Sequence, residues 1–280
     1  MALLVNAVNL VTNVSVLTAA EDDGGFHAPT LAEFFPPAIF FEGTPFEMNR
    51  IVLVRMLAVL VMLLLFWLAL RRGTRVPGRG QSVAEMAIGF VKDQIGDQVL
   101  GAKDGKRFLP LLAGMFFGIL AMNLTGIIPG LNIAGSSIFI VPATFALAAY
   151  IAFVYAGIKQ HGGWKYFKNQ LFLPGVPWPI YIILTPVELL NIFIVRPISL
   201  SLRLLLNMMV GHLLLVLCFS ATHFFFITGQ DLGLLSLFGV ATLVGGIAMT
   251  GIELAVAVLQ AYIFTLLTAV YIQQSVADEH

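Results

Sequence analysis

Charged residues are scarce in this sequence. Only 11% of its 280 residues are Asp, Glu, Lys or Arg, while 59% are hydrophobic. Soluble domains carry about 25% charged residues, so the composition predicts an integral membrane protein. The formal net charge is zero, and nothing in the bulk electrostatics indicates a nucleic-acid partner.

Cysteine and ligand-binding motifs are also scarce. Cys218 is the only cysteine, which excludes an internal disulfide. The segment 101–107 resembles a phosphate loop, but one residue is missing between its glycines and Arg107 replaces the Ser or Thr, so we interpret it as a basic loop. His212 and Glu253 alone are too few ligands for a metal, and we predict neither metal nor cofactor.

Long apolar stretches dominate what is present. A spanning helix needs about 20 apolar residues, and five stretches qualify, at about 51–71, 108–129, 138–159, 178–228 and 232–274. The last two exceed a perpendicular crossing at about 1.5 Å rise per residue. Dividing each into two would give seven spans; we predict instead two long inclined helices that form a hairpin, within an all-α membrane protein.

Residues 82–100 are too polar to cross a membrane. Their first four residues, Ser82 to Glu85, match a capping box, which predicts that a helix begins at Ser82. Apolar side chains are interleaved with charged ones along this segment. The pattern favours a helix lying on the cytoplasmic membrane surface.

The basic loop residues all lie on one side if the spans alternate. They follow the first span, precede the second and follow the third, at Arg71, Arg72, Arg75, Arg79, Lys103, Lys106, Arg107, Lys159, Lys165 and Lys168. Residues 1–49 contain no basic residue, which also disfavours a cleaved signal peptide. The positive-inside rule therefore predicts an extracytoplasmic segment 1–49, a single membrane domain 50–280 and a cytoplasmic carboxyl terminus.

Ionisable residues inside the two long stretches require a reason, because a charge at mid-membrane costs several kcal/mol. Arg203 and Asn207 are four residues apart and share a helix face, whereas His212, nine residues after Arg203, points to nearly the opposite side. Glu253 and Gln260 share a face of the last stretch. This arrangement indicates a proton path that passes a fixed positive charge.

Three segments in order resemble subunit a of the membrane sector of ATP synthase. They read PISLSLRLLLNMMVGH at 197–212, MNLTGIIP at 122–129 and LQAYIF at 259–264, the last followed by a similar ending at 271–280. The resemblance extends from about residue 108 to the end, and the preceding residues match only in layout. It implies a spanning helix, a cytoplasmic surface helix, a spanning pair and two long inclined helices along a ring of c subunits.

The resemblance also implies roles for single residues. Arg203 would be the essential arginine facing a rotor carboxylate, with Gln260 its partner near the ring and Asn207 a neighbour on the same face. Glu188 would correspond to the acidic residue of this helix, and Asn123 to a polar position of the outer access path.

Two positions depart from the pattern of many bacterial members. His212 and Glu253 are exchanged relative to those members, which predicts a pair that works as a unit. Two carboxylates that some members carry just after the position of Asn123 are absent, and Thr125 and Gly126 lie nearby instead.

The implied protein is a non-catalytic subunit with two proton half-channels that couple proton flow to rotation and ATP synthesis. Its partners would be the c ring, the b subunits of the peripheral stalk, other ATP synthase subunits and the lipid of a bacterial inner (plasma) membrane. Either H⁺ or Na⁺ is compatible, because the ion site would lie mostly on the ring. A secondary transporter with an anion site at Arg203 is the alternative; it should show inverted repeats, and we find none. A purely structural anchor leaves Arg203, Glu253 and Gln260 without a reason.

Overall fold

The described part of the chain is almost entirely helical. A computed structural model describes residues 38–40, 48–70, 78–128, 136, 138–166, 181–228 and 237–277. A short antiparallel pair, β1 (Ala38–Phe40) and β2 (Met48–Asn49), precedes the first helix and was not predicted. Five helices among these residues are long and apolar enough to cross a membrane, so the chain is a multi-pass all-α membrane protein. Most of the predicted extracytoplasmic segment 1–49 lies outside the described residues.

Six long helices follow in chain order among the described residues. Helix α1 is Arg50–Leu70, α2 is Arg79–Val91 continued by the π-helical segment Lys92–Leu100, α3 is Gly101–Leu124, and α4 is Ile140–His161. Helix α5 occupies residues 181–228 as the consecutive segments Tyr181–Leu190, Asn191–Val195, Arg196–His223 and Phe224–Thr228, the second and fourth being π-helical. Helix α6 is Leu237–Val276.

The predicted start of α2 at a capping box is wrong. The helix begins at Arg79 with Gly78 as its N-cap, and no side chain caps it. Ser82 already lies inside the helix, where its amide donates to the Gly78 carbonyl at 2.9 Å. The Glu85 carboxylate instead accepts a hydrogen bond from Gln81 Nε2 at 2.7 Å.

The predicted basic loop is wrong as well, because residues 101–107 form the first turns of α3. The two helices meet at a single residue with no loop between them. Gly101 has φ of 76°, a left-handed conformation that glycine adopts readily, and it ends the π-helical segment and begins α3. One glycine with a positive φ thus takes the place of a loop, while Lys103, Lys106 and Arg107 remain exposed.

Neither of the two long apolar stretches is divided into two spans. Helix α5 remains helical past both of its prolines. The π-helical turn Asn191–Val195 lies between Pro186 and Pro197. Because Pro197 has no N–H to donate to the carbonyl four residues earlier, the regular hydrogen-bond pattern is interrupted there without ending the helix.

The buried core lies among α3, α4, α5 and α6, and Val91 and Ile95 of α2 pack into it. Its least exposed side chains include Leu112, Ile119, Leu204, Met208 and Ile272, each 0% exposed. Helix α1 packs at the periphery and exposes most of its large apolar side chains. Such exposure is expected where lipid replaces water, since lipid tails are as apolar as leucine.

Helices α2 and α3 cross at two glycines. A Cβ atom placed on Gly105 would lie 2.9 Å from the carbonyl carbon and oxygen of Gly96 and 2.8 Å from Asp97 Oδ1. Two of these three atoms belong to the backbone, which cannot rotate away. The crossing therefore depends on the absence of a side chain at Gly105.

We expect Gly105→Ala to lower the free energy of unfolding by about 1–3 kcal/mol, the usual cost of overpacking. Gly114→Ala is the matched control in the same helix, since nothing lies within 4 Å of the added methyl group. That control should be neutral or slightly stabilising, because alanine favours helix. Thermal unfolding of both purified variants in detergent checks the difference, and equal midpoints would contradict the close crossing.

Candidate functional site

The two long helices α5 and α6 lie antiparallel and in close contact. Near one end the hydroxyl oxygens of Thr222 and Thr242 are 3.0 Å apart. Eleven residues earlier in α5 and eleven later in α6, Gly211 meets Glu253, where a Cβ on the glycine would be 3.2 Å from Glu253 Oε1. The contacts therefore advance in opposite directions along the two helices by equal steps.

Small residues permit this approach along the hairpin. A Cβ on Gly246 or on Gly239 would lie 3.1 Å from a phenylalanine ring of α5, Phe219 or Phe226 respectively. Glycine at these positions lets the facing rings pack directly on backbone, as small residues do between membrane helices. Continuing the same register towards the carboxyl end of α6 places Gln260 at the level of Leu204, beside Arg203.

Arg203 and Asn207 share the outward face of α5, as their spacing predicted. Both are exposed, and the neighbouring Leu206 and Val210 are 52% and 54% exposed. Within the part of the chain that the structure describes, the Arg203 guanidinium forms no hydrogen bond and no ion pair. Apart from the Asn207 amide, the face is therefore a largely apolar surface that carries one permanent cation.

His212 and Glu253 lie on the inward side. His212 is 4% exposed and Glu253 is 3% exposed. The Glu253 carboxylate rests against Gly211, the residue that precedes His212. Neither carboxylate oxygen accepts a hydrogen bond from any described residue. The structure thus brings the two predicted partners to one level of the α5–α6 contact, with a buried acid that is not saturated by protein donors.

Asn123 joins this inward group from α3. Its Oδ1 accepts a hydrogen bond from Ser136 Oγ at 2.6 Å, and its Nδ2 lies 3.5 Å from the Ala257 carbonyl of α6. Ala257 is four residues after Glu253 on the same buried face. Ser136 was not predicted as a site residue, because nothing in a Gly- and Ser-rich connection shows which hydroxyl turns back onto the preceding helix.

Gln260 is also inward. It is 4% exposed, and its Oε1 has no hydrogen-bond partner among the described residues. Its level matches that of Arg203, yet it faces the interior while Arg203 faces outward. The partnership of Gln260 with Arg203 near the ring, which the resemblance implies, therefore stays a prediction.

Glu188 lies apart from the other predicted residues. It precedes Arg203 by fifteen positions (203 − 188), which is about 22 Å along a helix. Its Oε1 is 3.9 Å from Arg196 Nη2 and accepts a hydrogen bond from Asn191 Nδ2 at 3.4 Å. The Arg196 guanidinium also lies 5.0 Å from the ring centre of Tyr271 in α6. Glu188 therefore belongs to a second polar group. This group and His212 lie on opposite sides of Arg203 along α5.

Comparison with known proteins identifies the family of this chain. The family model described as ATP synthase A chain matches residues 52–273. The chain is 46% identical over 269 residues to ATP synthase subunit a of Rhodococcus erythropolis, covering 95% of this chain and 96% of that protein. The chain belongs to the ATP synthase subunit a family. It is also 37% identical over 270 residues to the subunit a of Pseudarthrobacter chlorophenolicus, covering 95% of this chain and all of that protein.

The family match covers more of the chain than the sequence motifs suggested. We expected similarity only from about residue 108, with the earlier part matching in layout alone, and the match begins at residue 52. It therefore includes α1 and α2. Every predicted site residue of this subunit a family member lies within the matched range.

We expect His212 and Glu253 to be energetically coupled. Single changes at either position should slow ATP synthesis, and the exchanged double variant His212→Glu with Glu253→His should recover more activity than the product of the single effects. The reason is that both side chains are buried at one level of the α5–α6 contact. ATP synthesis by membranes carrying the assembled complex measures the cycle.

Glu188 provides the control for this cycle. A cycle between His212 and Glu188→Gln should show independent effects, since Glu188 contacts Arg196 in the other polar group. If the single effects in the His212–Glu253 cycle were also additive, the result would argue against contact between His212 and Glu253.

Proposed function

We propose that this chain is the stator subunit a of an F-type ATP synthase, which conducts protons through two half-channels and presents Arg203 to a rotor ring of c subunits. One observation carries the proposal. The Arg203 guanidinium lies on an exposed helix face that is largely apolar apart from Asn207, and it has no acidic partner among the described residues. Such a charge is costly in lipid, so its counter-ion must come from another protein.

A carboxylate on a rotor helix meets this requirement. While it faces lipid it stays neutral, because an unpaired ion in an apolar medium is prohibitively costly. Opposite Arg203 the ionised form is favoured. The guanidinium itself does not deprotonate in proteins, so protons cannot pass through it from one side to the other.

The buried polar group of Glu253, His212 and Asn123 supports the half-channel that opens to the outer side of the membrane. Glu253 and His212 are titratable, and Asn123 extends the group towards the end of α3. By the orientation that the basic residues predict, these residues lie on the outer side of Arg203. Because the Glu253 carboxylate accepts no hydrogen bond from a described residue, it can bind and release a proton of the path.

The second polar group supports the inner half-channel. Glu188, Asn191 and Arg196 lie towards the amino end of α5, on the other side of Arg203 from His212. The predicted orientation makes this end cytoplasmic. Polar groups on both sides of one fixed cation allow protons to load on one side and leave on the other. Each proton that crosses the membrane releases about 2.3 kcal/mol per 100 mV of membrane potential.

The assembly follows from the same argument. The exposed face of α5 would contact the c ring, and other exposed apolar faces would contact the b subunits of the peripheral stalk, other ATP synthase subunits or lipid. The amino terminus would be outside the bacterial plasma membrane and the carboxyl terminus in the cytoplasm. The subunit is non-catalytic in this proposal, since its groups move protons while the bonds of ATP are made in other subunits.

We expect Arg203→Lys to reduce proton-driven ATP synthesis more than ten-fold although it keeps a cation. Lysine lacks the planar fork of arginine and shifts its protonation readily when desolvated. Arg107→Lys is the matched control, an exposed arginine of α3 that contacts the rings of Phe108 and Tyr155. ATP synthesis and ATP-driven proton pumping in inverted vesicles, with complex assembly verified, test both. Near-normal pumping by an assembled Arg203→Lys complex would remove Arg203 from its proposed role.

The outward face of α5 should be buried in the complex by the ring. In a Cys218→Ser background, we expect Val210→Cys to form a disulfide with a cysteine placed on the membrane helix of subunit c. Met208→Cys is the control. Met208 is only two residues away, but it is 0% exposed and packs in the protein interior, so its cysteine should not cross-link. Ready labelling of Val210→Cys in the intact complex by an impermeant thiol reagent would contradict the proposed ring contact.

A further inference from the structure

The second polar group contains a cation with two different neighbours. The Arg196 guanidinium lies 5.0 Å from the ring centre of Tyr271, within the distance of about 6 Å over which a ring face attracts a cation. The same guanidinium also lies near an acid, since Arg196 Nη2 is 3.9 Å from Glu188 Oε1. One arginine of α5 is therefore shared between a carboxylate of its own helix and an aromatic ring of α6.

The ion pair between Arg196 and Glu188 is not closed. A charge-assisted N–H···O hydrogen bond measures about 2.7–2.9 Å, so the separation of 3.9 Å is about 1 Å too long for one. The Glu188 carboxylate accepts a hydrogen bond from Asn191 Nδ2 instead, a neutral donor at 3.4 Å. The Arg196 and Glu188 side chains are only 14% and 21% exposed, and the attraction between partly buried charges is screened little by solvent. A further contact must therefore hold the guanidinium back.

The path of α5 does not account for this separation. The π-helical turn Asn191–Val195 lies between the two residues, and its hydrogen bonds span five residues instead of four. The 3.9 Å separation shows that Glu188 and Arg196 nevertheless reach the same side of the helix. The flexible stem of an arginine can cover a further distance of about 1 Å by rotation about its own bonds.

The ring of Tyr271 has a defined position from which it can attract Arg196. It meets the ring of Phe153 in α4 edge to face, with the ring centres 6.1 Å apart and the planes at 65°. Phe153 is itself 2% exposed, and its ring packs edge to face on that of Tyr150 at 5.0 Å. Packing against α4 thus fixes the aromatic neighbour of the cation.

We propose that Tyr271 is a positioning residue of the inner half-channel, because its ring holds the Arg196 guanidinium short of a closed ion pair with Glu188. The inference rests on the proposed function, in which the group around Glu188 carries protons on the cytoplasmic side of Arg203. A carboxylate that is closed onto a guanidinium is favoured in its ionised form and resists the uptake of a proton. With the pair held open, Glu188 can both bind and release protons of the path.

We expect Tyr271→Leu to lower proton-driven ATP synthesis about five-fold, because the loss of the ring face frees the guanidinium to close onto Glu188. Tyr271→Phe keeps the ring face and should retain near-normal synthesis. The double variant Tyr271→Leu with Arg196→Gln cannot form the closed pair, so it should synthesise ATP faster than Tyr271→Leu alone. Inverted vesicles with verified assembly of the complex provide the measurement, and Arg196→Gln alone completes the cycle.

Tyr150→Leu is the matched control. It removes a ring that contacts Phe153 but makes no cation–ring contact with Arg196. Its effect on ATP synthesis should therefore be the same in the presence of Arg196 and in the Arg196→Gln background. If the Tyr271→Leu complex does not assemble, Tyr271→Met takes its place, since methionine fills the space without offering a ring face.

Several results would overturn the inference by reducing Tyr271 to a packing residue. They are equal synthesis by Tyr271→Leu and Tyr271→Phe, a double variant no faster than Tyr271→Leu, and failure of both the leucine and the methionine variant to assemble. Normal synthesis by Tyr271→Leu beside a defective Arg203→Lys complex would also overturn it, while leaving the proposed function in place. Failure of the proposed function itself would show in the Arg203→Lys complex.

Discussion

The close antiparallel contact between α5 and α6 is the interaction on which the site depends. It is possible because glycines face bulky or charged side chains across it, as Gly211 faces Glu253 and Gly246 faces Phe219. A Cβ atom at Gly211 would lie 3.2 Å from Glu253 Oε1, so the carboxylate would have to shift to accommodate it. The same contact fixes the level of each polar group relative to Arg203, so one packing arrangement sets both the stability and the order of the site.

The contact also separates two chemical environments on one helix. On the inward face of α5, His212 is buried at the same level as Glu253. On the outward face, Arg203 is exposed among leucine and valine side chains. A permanent cation and a titratable pair are thus held on opposite sides of a single rigid element. This separation keeps the charge of Arg203 from being neutralised by the subunit's own acid.

Much of this layout could be predicted because helical periodicity is a local property. The opposite placement of Arg203 and His212 follows from their spacing alone, and the long helices follow from composition. The errors have a common cause. The start of α2, the turn at Gly101 and the contact of Ser136 with Asn123 all depend on what another segment supplies in three dimensions. The approach of Gly96 to Gly105 replaces a loop, and neither glycine signals its partner in the sequence.

The exposed guanidinium of Arg203 has a consequence for the life of the chain before it is assembled. A copy newly inserted in the membrane holds this cation against lipid or against a local water defect, at a cost of several kcal/mol. Any partner that supplies a counter-ion binds the folded chain and raises its stability by linkage. In the proposed complex, folding and assembly would therefore be thermodynamically coupled through this side chain, and unassembled copies would be the ones most open to proteolytic removal.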